Sequence, residues 1–281
     1  MSSKIRIVFV EILASTLGNL LVVLRPEKAR QLSEKGVTLV LNNLSLTERL
    51  MRRAILKNIE KKEDYDTLAE LHQNYWTKQG SDFFEATNDT FKNNFLPDCS
   101  FIFELLKDEL SNQSEEFNTL VEIGTGNGNV LEYLSSEFPK IDHFVGIDLS
   151  SIQIDINNKK FHENKKLEFV ALDGFEWVKK NGQGNTIFVT SRGVLEYFVE
   201  ERLQAFLKEI NDLGKTIFIA IEPNGTEHNF ETNPKSQPYG PERSFSHNYP
   251  KLFKDAGFSI WHLSYKPLEE STKLSFIGAK N

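Results

Sequence analysis

From residue 116 to the C-terminus, short apolar runs alternate with helix-length connections, and this alternation constrains the fold more than any other feature of the 281 residues. The runs fall at residues 120–123, 143–147, 167–172, 186–190 and 215–221, and they are rich in Val, Ile and Phe. Strands that are apolar on both faces and separated by helical connections belong to a buried parallel sheet with helices on either side. Two further runs, 258–265 and 274–279, are joined by a short polar link containing Pro267. That link leaves no room for a helix, so these two strands should pair antiparallel. The expectation is an α/β domain over residues 113–281, behind a helical region over residues 1–112.

The first strand runs into Val121-Glu122-Ile123-Gly124-Thr125-Gly126-Asn127-Gly128, followed by a helical pattern at Val130, Leu131 and Leu134. Alternate glycines let the backbone turn sharply and approach a ligand, and the helix behind them offers unpaired N–H groups. A dinucleotide fingerprint needs its third glycine one place later, where Asn129 stands, and the ending of a phosphate-binding P-loop is missing.

This segment resembles the first motif of the class I S-adenosylmethionine-dependent methyltransferases, acidic-x-Gly-x-Gly-x-Gly, and further stations of that family follow in order. Asp148 ends the second strand, with Leu149 behind it; in the family a carboxylate there holds the cofactor ribose. One ionised carboxylate is well suited to accept from two adjacent hydroxyls. Asp173-Gly174 resembles the station at the cofactor adenine. The run from Val189 through Ser191 to Glu196-Tyr197 is similar to the station that lines the cofactor methionine and opens towards the acceptor. The resemblance implies a Rossmann-like, seven-stranded, mostly parallel sheet with an antiparallel C-terminal hairpin. It also implies S-adenosyl-L-methionine as cofactor, held by Glu122, Gly124, Thr125, Gly126, Gly128, Asp148, Leu149, Asp173, Gly174 and Ser191. It covers the chain from about residue 115 onwards.

Methyl transfer from a sulfonium is an in-line displacement, so alignment and exclusion of water carry much of the catalysis, and a base matters only when the acceptor must lose a proton. The base candidates are His247, His228 and Glu196. A long polar-aromatic stretch, residues 224–248, reads as a lid loop, with His247 beside a helix capped by Ser246 or Asn248. Tyr197, Trp76, Tyr239 and Arg243 are the candidate acceptor-binding residues. The expected reaction is methylation of a small molecule, preferably on oxygen. Transfer of another group from the same cofactor, such as an aminopropyl moiety, and a non-catalytic scaffold that kept the fold are the alternatives.

Charge and cysteine content narrow the partners. Thirty-three basic against forty acidic residues leave a formal charge of −7, which disfavours nucleic acid, whose phosphates need a cationic face. A single cysteine, Cys99, excludes an intrachain disulfide and a Cys-rich zinc site and fits a reducing compartment, the cytoplasm. No metal site is expected.

In the N-terminal region, Ser45-Leu46-Thr47-Glu48 reads as a capping box opening a helix that runs to about Lys61. Further helices are expected over residues 65–78 and 101–110, with Gly80 and Asn88-Asp89 as punctuation. Residues 7–24 are largely apolar but interrupted by Glu11 and Asn19. Packing on the protein or on a partner in a homodimer is the preferred reading; a helix on a membrane surface and a cleaved signal are the alternatives.

Overall fold

The computed structural model describes residues 3–36, 44–112 and 116–281. Six helices come first: α1 (Ser3–Leu24), α2 (Pro26–Lys35), α3 (Leu46–Lys61), α4 (Tyr65–Ala86), the single turn α5 (Leu96–Cys99) and α6 (Phe101–Ser111), with a π-helical turn, Phe91–Phe95, ahead of α5. The boundary expected between residues 112 and 113 abuts residues 113–115, which lie outside the described residues.

The capping box at Ser45 forms: its Oγ accepts from the N–H of Glu48 while Glu48 accepts from the N–H of Ser45. Helix α4 is longer than its sequence pattern, because Gly80 lies inside it rather than ending it. A Cβ at Gly80 would lie 3.6 Å from both Trp76 and Phe84. The packing of that aromatic face outweighs the roughly 1 kcal/mol that glycine costs a helix.

Strands β1 (Thr119–Ile123), β2 (His143–Asp148), β3 (Leu167–Ala171), β4 (Thr186–Ser191) and β5 (Thr216–Gly225) alternate with α7 (Asn129–Glu137), α8 (Ser151–Lys160), α9 (Gly174–Asn181) and α10 (Glu200–Asp212). A small hairpin of β6 (Gln237–Tyr239) and β7 (Ser244–Ser246) follows, then α11 (Tyr249–Asp255), β8 (Ser259–Glu269) and β9 (Thr272–Lys280). The main sheet has the order β3-β2-β1-β4-β5-β9-β8. Its first five strands are parallel, and β9 is antiparallel to both β5 and β8. This is the expected seven-stranded arrangement. The order reverses between β1 and β4, where open α/β sheets bind ligands beyond the carboxyl ends of their strands.

Side chains alternate across the sheet. Val121, Val145, Phe188 and Phe218 pack with α9, α10 and α11, whereas Leu120, Phe144, Ile187 and Ile217 pack with α6, α7 and α8. Both faces are buried, as the continuous apolar runs require.

The segment 224–248 departs from the lid-loop expectation. Strand β5 runs on to Gly225, buried throughout, because β9 pairs with it along its whole length. Asn248 caps α11 by accepting from the N–H of Lys251, as expected. Ser246 instead binds inward, to Asn224, Gly225 and His228.

Candidate active site

The site is built from strand ends. Beyond β1 the chain turns through Gly124 and Gly126 at φ +70° and +51°, values that favour glycine. The N–H groups of Gly124 and Thr125 both donate to the carbonyl of Ile147, at 2.8 and 2.9 Å, which ties the turn to β2. Cβ atoms would collide there: one at Gly124 would lie 2.5 Å from Val194, and one at Gly126 2.7 Å from the ring of Phe84. Gly128, at φ +72°, opens α7, but a Cβ on it would meet Phe161 and Phe169. Its smallness serves the packing of two aromatic rings.

Asp148, at the end of β2, accepts from the N–H of Gly126 at 3.0 Å and from that of Ser150 at 2.9 Å. Burial pushes its carboxyl up, and these backbone donors oppose the shift. Glu122 is buried behind the turn; Thr125 donates to it at 2.7 Å, and Ser191 donates to its other oxygen. Burial pushes the Glu122 carboxyl up to about 7. Asp173 accepts from the N–H of Glu176, capping α9, and pairs with Arg202 at 2.7 Å.

Over these strand ends lies a cleft of about 830 Å³, within the range of small-molecule sites. Its floor includes Gly124, Thr125, Gly126, Asp148, Leu149, Asp173, Gly174 and Ser191. Its roof is α4 together with the π-helical turn: Gln73, Trp76, Phe84, Phe91 and Asn94 all face it. Tyr197 joins floor to roof. Its ring lies 5.5 Å from that of Trp76 and 5.1 Å from that of His72, and its hydroxyl donates to Glu242 at 3.4 Å.

Of the residues expected at the site, Trp76 and Tyr197 therefore line the cleft with the floor residues named above. Glu122 and Gly128 support the floor from behind. The three base candidates stand away from the cleft. His247, expected as a base candidate beside the cap of α11, is fully buried: Ser236 Oγ lies 2.5 Å from its Nδ1, and its Nε2 donates to the carbonyl of Leu195 at 3.1 Å. Burial pulls its pKa down to about 3. His228 is held between Ser246 and the carbonyl of Asn233. Glu196 accepts from Tyr239 at 2.7 Å and from Ser244 at 2.5 Å, and burial lifts its carboxyl to about 8. Tyr239 is thereby committed to Glu196, while Arg243 pairs with Glu60. Both lie outside the cleft lining.

Residues that sequence reasoning passed over also line the cleft: Arg192, Arg202 and Glu242. Only Arg192 carries a local signal, a bulky residue before a glycine just beyond β4. Its backbone is left-handed, at φ +80°.

The lining residues fit an adenosyl sulfonium. Leu149, Leu172, Phe198 and Val199 present apolar surface for a purine. Asp148 retains acceptor capacity beyond its two backbone donors for ribose hydroxyls. The glycine turn leaves backbone room where any Cβ would collide. Among the described residues, no group of three His, Cys, Asp or Glu side chains is placed to hold a metal ion.

Residues 99–263 match the model of a methyltransferase-domain family. No curated protein matches the chain in sequence. Among solved structures, it is similar to magnesium protoporphyrin IX methyltransferase from Synechocystis with bound S-adenosylmethionine, at 14% identity and a TM-score of 0.52 over 76% of this chain and 97% of that one. An S-adenosylmethionine-dependent methyltransferase from Leishmania major aligns at 10% identity and a TM-score of 0.53, over 77% of this chain and 82% of that one. Another from Clostridium acetobutylicum aligns at 15% and 0.50, over 71% of this chain and 97% of that one. At these identities the likeness is one of fold.

Proposed function

Because the chain belongs to the class I S-adenosylmethionine-dependent methyltransferases, we propose that it methylates a small organic acceptor on oxygen, in the cleft between α4 and the strand ends. The observation that carries this reading is the roof. Gln73, Trp76 and Phe84 of α4 line the same cleft as the glycine turn and Tyr197, a walled space that supports a small acceptor.

The cofactor supplies a methyl group made electrophilic by its sulfonium. Asp148 orients the ribose through its free acceptor positions, and the apolar walls at Leu149 and Phe198 hold the purine. Trp76, Phe84 and Tyr197 exclude water from the reacting region, which also strengthens the electrostatic interactions inside it. A hydroxyl acceptor must give up its proton as it attacks, and the cleft-lining carboxylate within reach of Tyr197 is Glu242. Glu242 Oε2 receives that proton, while the Tyr197 hydroxyl fixes the orientation of the carboxylate.

The test is incubation with methyl-labelled S-adenosylmethionine and a panel of small hydroxylated, carboxylated and amine compounds, followed by mass spectrometry. The expected result is a labelled methyl on oxygen of one compound class, reduced in Glu242→Gln. A labelled methyl found only on amines, or a product carrying an aminopropyl group, would contradict the proposal.

A further inference from the structure

We infer that the outer face of α1 together with the basic rim of α3 docks on an anionic membrane surface. Helix α1 has no charged residue after Glu11 and is apolar around most of its circumference. Its inner side is occupied: Gly18 approaches the Leu50 carbonyl so closely that a Cβ would lie 2.2 Å from it, and Leu21 and Val22 pack on a cluster containing Leu32 and Met51. Among the described residues, the outer side at its C-terminal end is exposed. Leu17, Leu20, Val23 and Leu24 are 50%, 52%, 75% and 66% exposed, and Leu17, Leu20 and Leu24 follow one face at helical spacing. An apolar stripe of this kind on a water-facing helix marks an interaction surface. No helix among the described residues is long and apolar enough to cross a membrane.

Charge identifies the occupant. Residues 1–62 contain twelve basic and five acidic side chains, a net +7 within a chain of −7 overall, so the remainder carries −14. On α3, Leu50, Ala54 and Asn58 form the row that meets α1, with Asn58 bonded to Asn19. The neighbouring row, Arg49, Arg53 and Lys57, is exposed. A symmetric pairing of two copies through α1 would set one basic rim against another. An anionic bilayer complements both elements, taking the leucines into the headgroup boundary and the cations onto its charged lipids. The docking platform adjoins the active site, since Arg52 of α3 donates to the carbonyl of Pro241, the neighbour of Glu242.

The test is co-sedimentation of the full chain with vesicles of phosphatidylcholine alone and of phosphatidylcholine mixed with phosphatidylglycerol. Binding is expected to the mixed vesicles only and to weaken in high salt. It should fall roughly tenfold or more in Arg53→Glu/Lys57→Glu, at about 1 kcal/mol per charge, and similarly in Leu20→Glu/Leu24→Glu. Both variants alter exposed side chains, and unchanged affinity for S-adenosylhomocysteine verifies their fold. Absence of binding to mixed vesicles would overturn the inference, as would equal binding to both vesicle types. A vesicle-free dimer that the leucine variant dissociates, with no lipid binding, would assign the face to a second copy and overturn it as well.

Discussion

The ring of Phe84, on α4, lies so close to Gly126, in the turn after β1, that a Cβ on the glycine would stand 2.7 Å from Phe84 Cε1. This contact joins the helical N-terminal region to the cofactor floor, and it makes the glycine necessary twice over, through its left-handed φ and through the space it leaves. Gly126→Ala is expected to lower affinity for S-adenosylhomocysteine at least tenfold, the effect of roughly 1.4 kcal/mol or more from strain and displacement of the roof. Calorimetry on the folded variant checks this.

His247 is a structural residue in this reading. Its two ring nitrogens engage Ser236 and the Leu195 carbonyl, holding the segment after β5 against the loop that carries Tyr197. His247→Ala strands a buried carbonyl and a hydroxyl, at about 1–3 kcal/mol each, so a clear drop in melting temperature is expected. The pH profile of turnover should keep its shape. A lost acidic limb in that profile would restore His247 as the base.

Three buried glutamates make stability pH-dependent. Glu122 and Glu222 are lifted to about 7 and Glu196 to about 8, each chiefly by burial, from an ordinary value of 4.5. The folded chain keeps protons that the unfolded chain releases above 4.5, so the stability these groups contribute is fully present below that value and is lost as pH rises through 7 to 8. His72, lowered to about 4, and His247, lowered to about 3, act in the opposite sense. Their contribution is present above 6.5 and is lost as pH falls towards their folded values. Between pH 6 and 8.5 the carboxyls dominate, so melting temperature should fall across that interval. Glu196→Gln should flatten the decline by an amount on the order of 2 kcal/mol, as denaturant melts at the two pH values would measure.

Arg192 presents a cation to the cleft from a left-handed backbone position. If its guanidinium holds the carboxylate end of the cofactor, Arg192→Ala should weaken S-adenosylhomocysteine by about 1.5–3 kcal/mol. The same change should leave methylthioadenosine, which lacks that end, unaffected. Equal losses for the two ligands would instead indicate a general distortion of the loop.

The framework was legible in the sequence because it rests on local rules. The apolar runs could only be buried strands, the Pro267 link left no room for a helix, and Gly124 and Gly126 stood where a strand meets a helix. Asp148 and Asp173 were legible by their order at strand ends. Trp76 was legible as a pocket residue, but the extent of the roof and the proton-handling residues were not, because their placement is tertiary. Phe84 becomes a cleft residue only because α4 continues through Gly80, against the ordinary sense of a glycine. His247 read as a candidate base because the partners that bury it, Ser236 and Leu195, lie 11 and 52 residues away in the chain. Glu242 drew no notice because nothing local marks it; it acquires meaning from Tyr197, 45 residues earlier.

Isothermal titration of S-adenosylhomocysteine into the full chain and into Asp148→Ala tests the central claim most directly. Wild type should bind one equivalent. The variant should be weakened by about 1–3 kcal/mol, the cost of leaving ribose hydroxyls without their acceptor, with its melting temperature little changed. A wild-type chain that folds and takes up no S-adenosylhomocysteine, or an Asp148 variant that binds as tightly as wild type, would contradict the account.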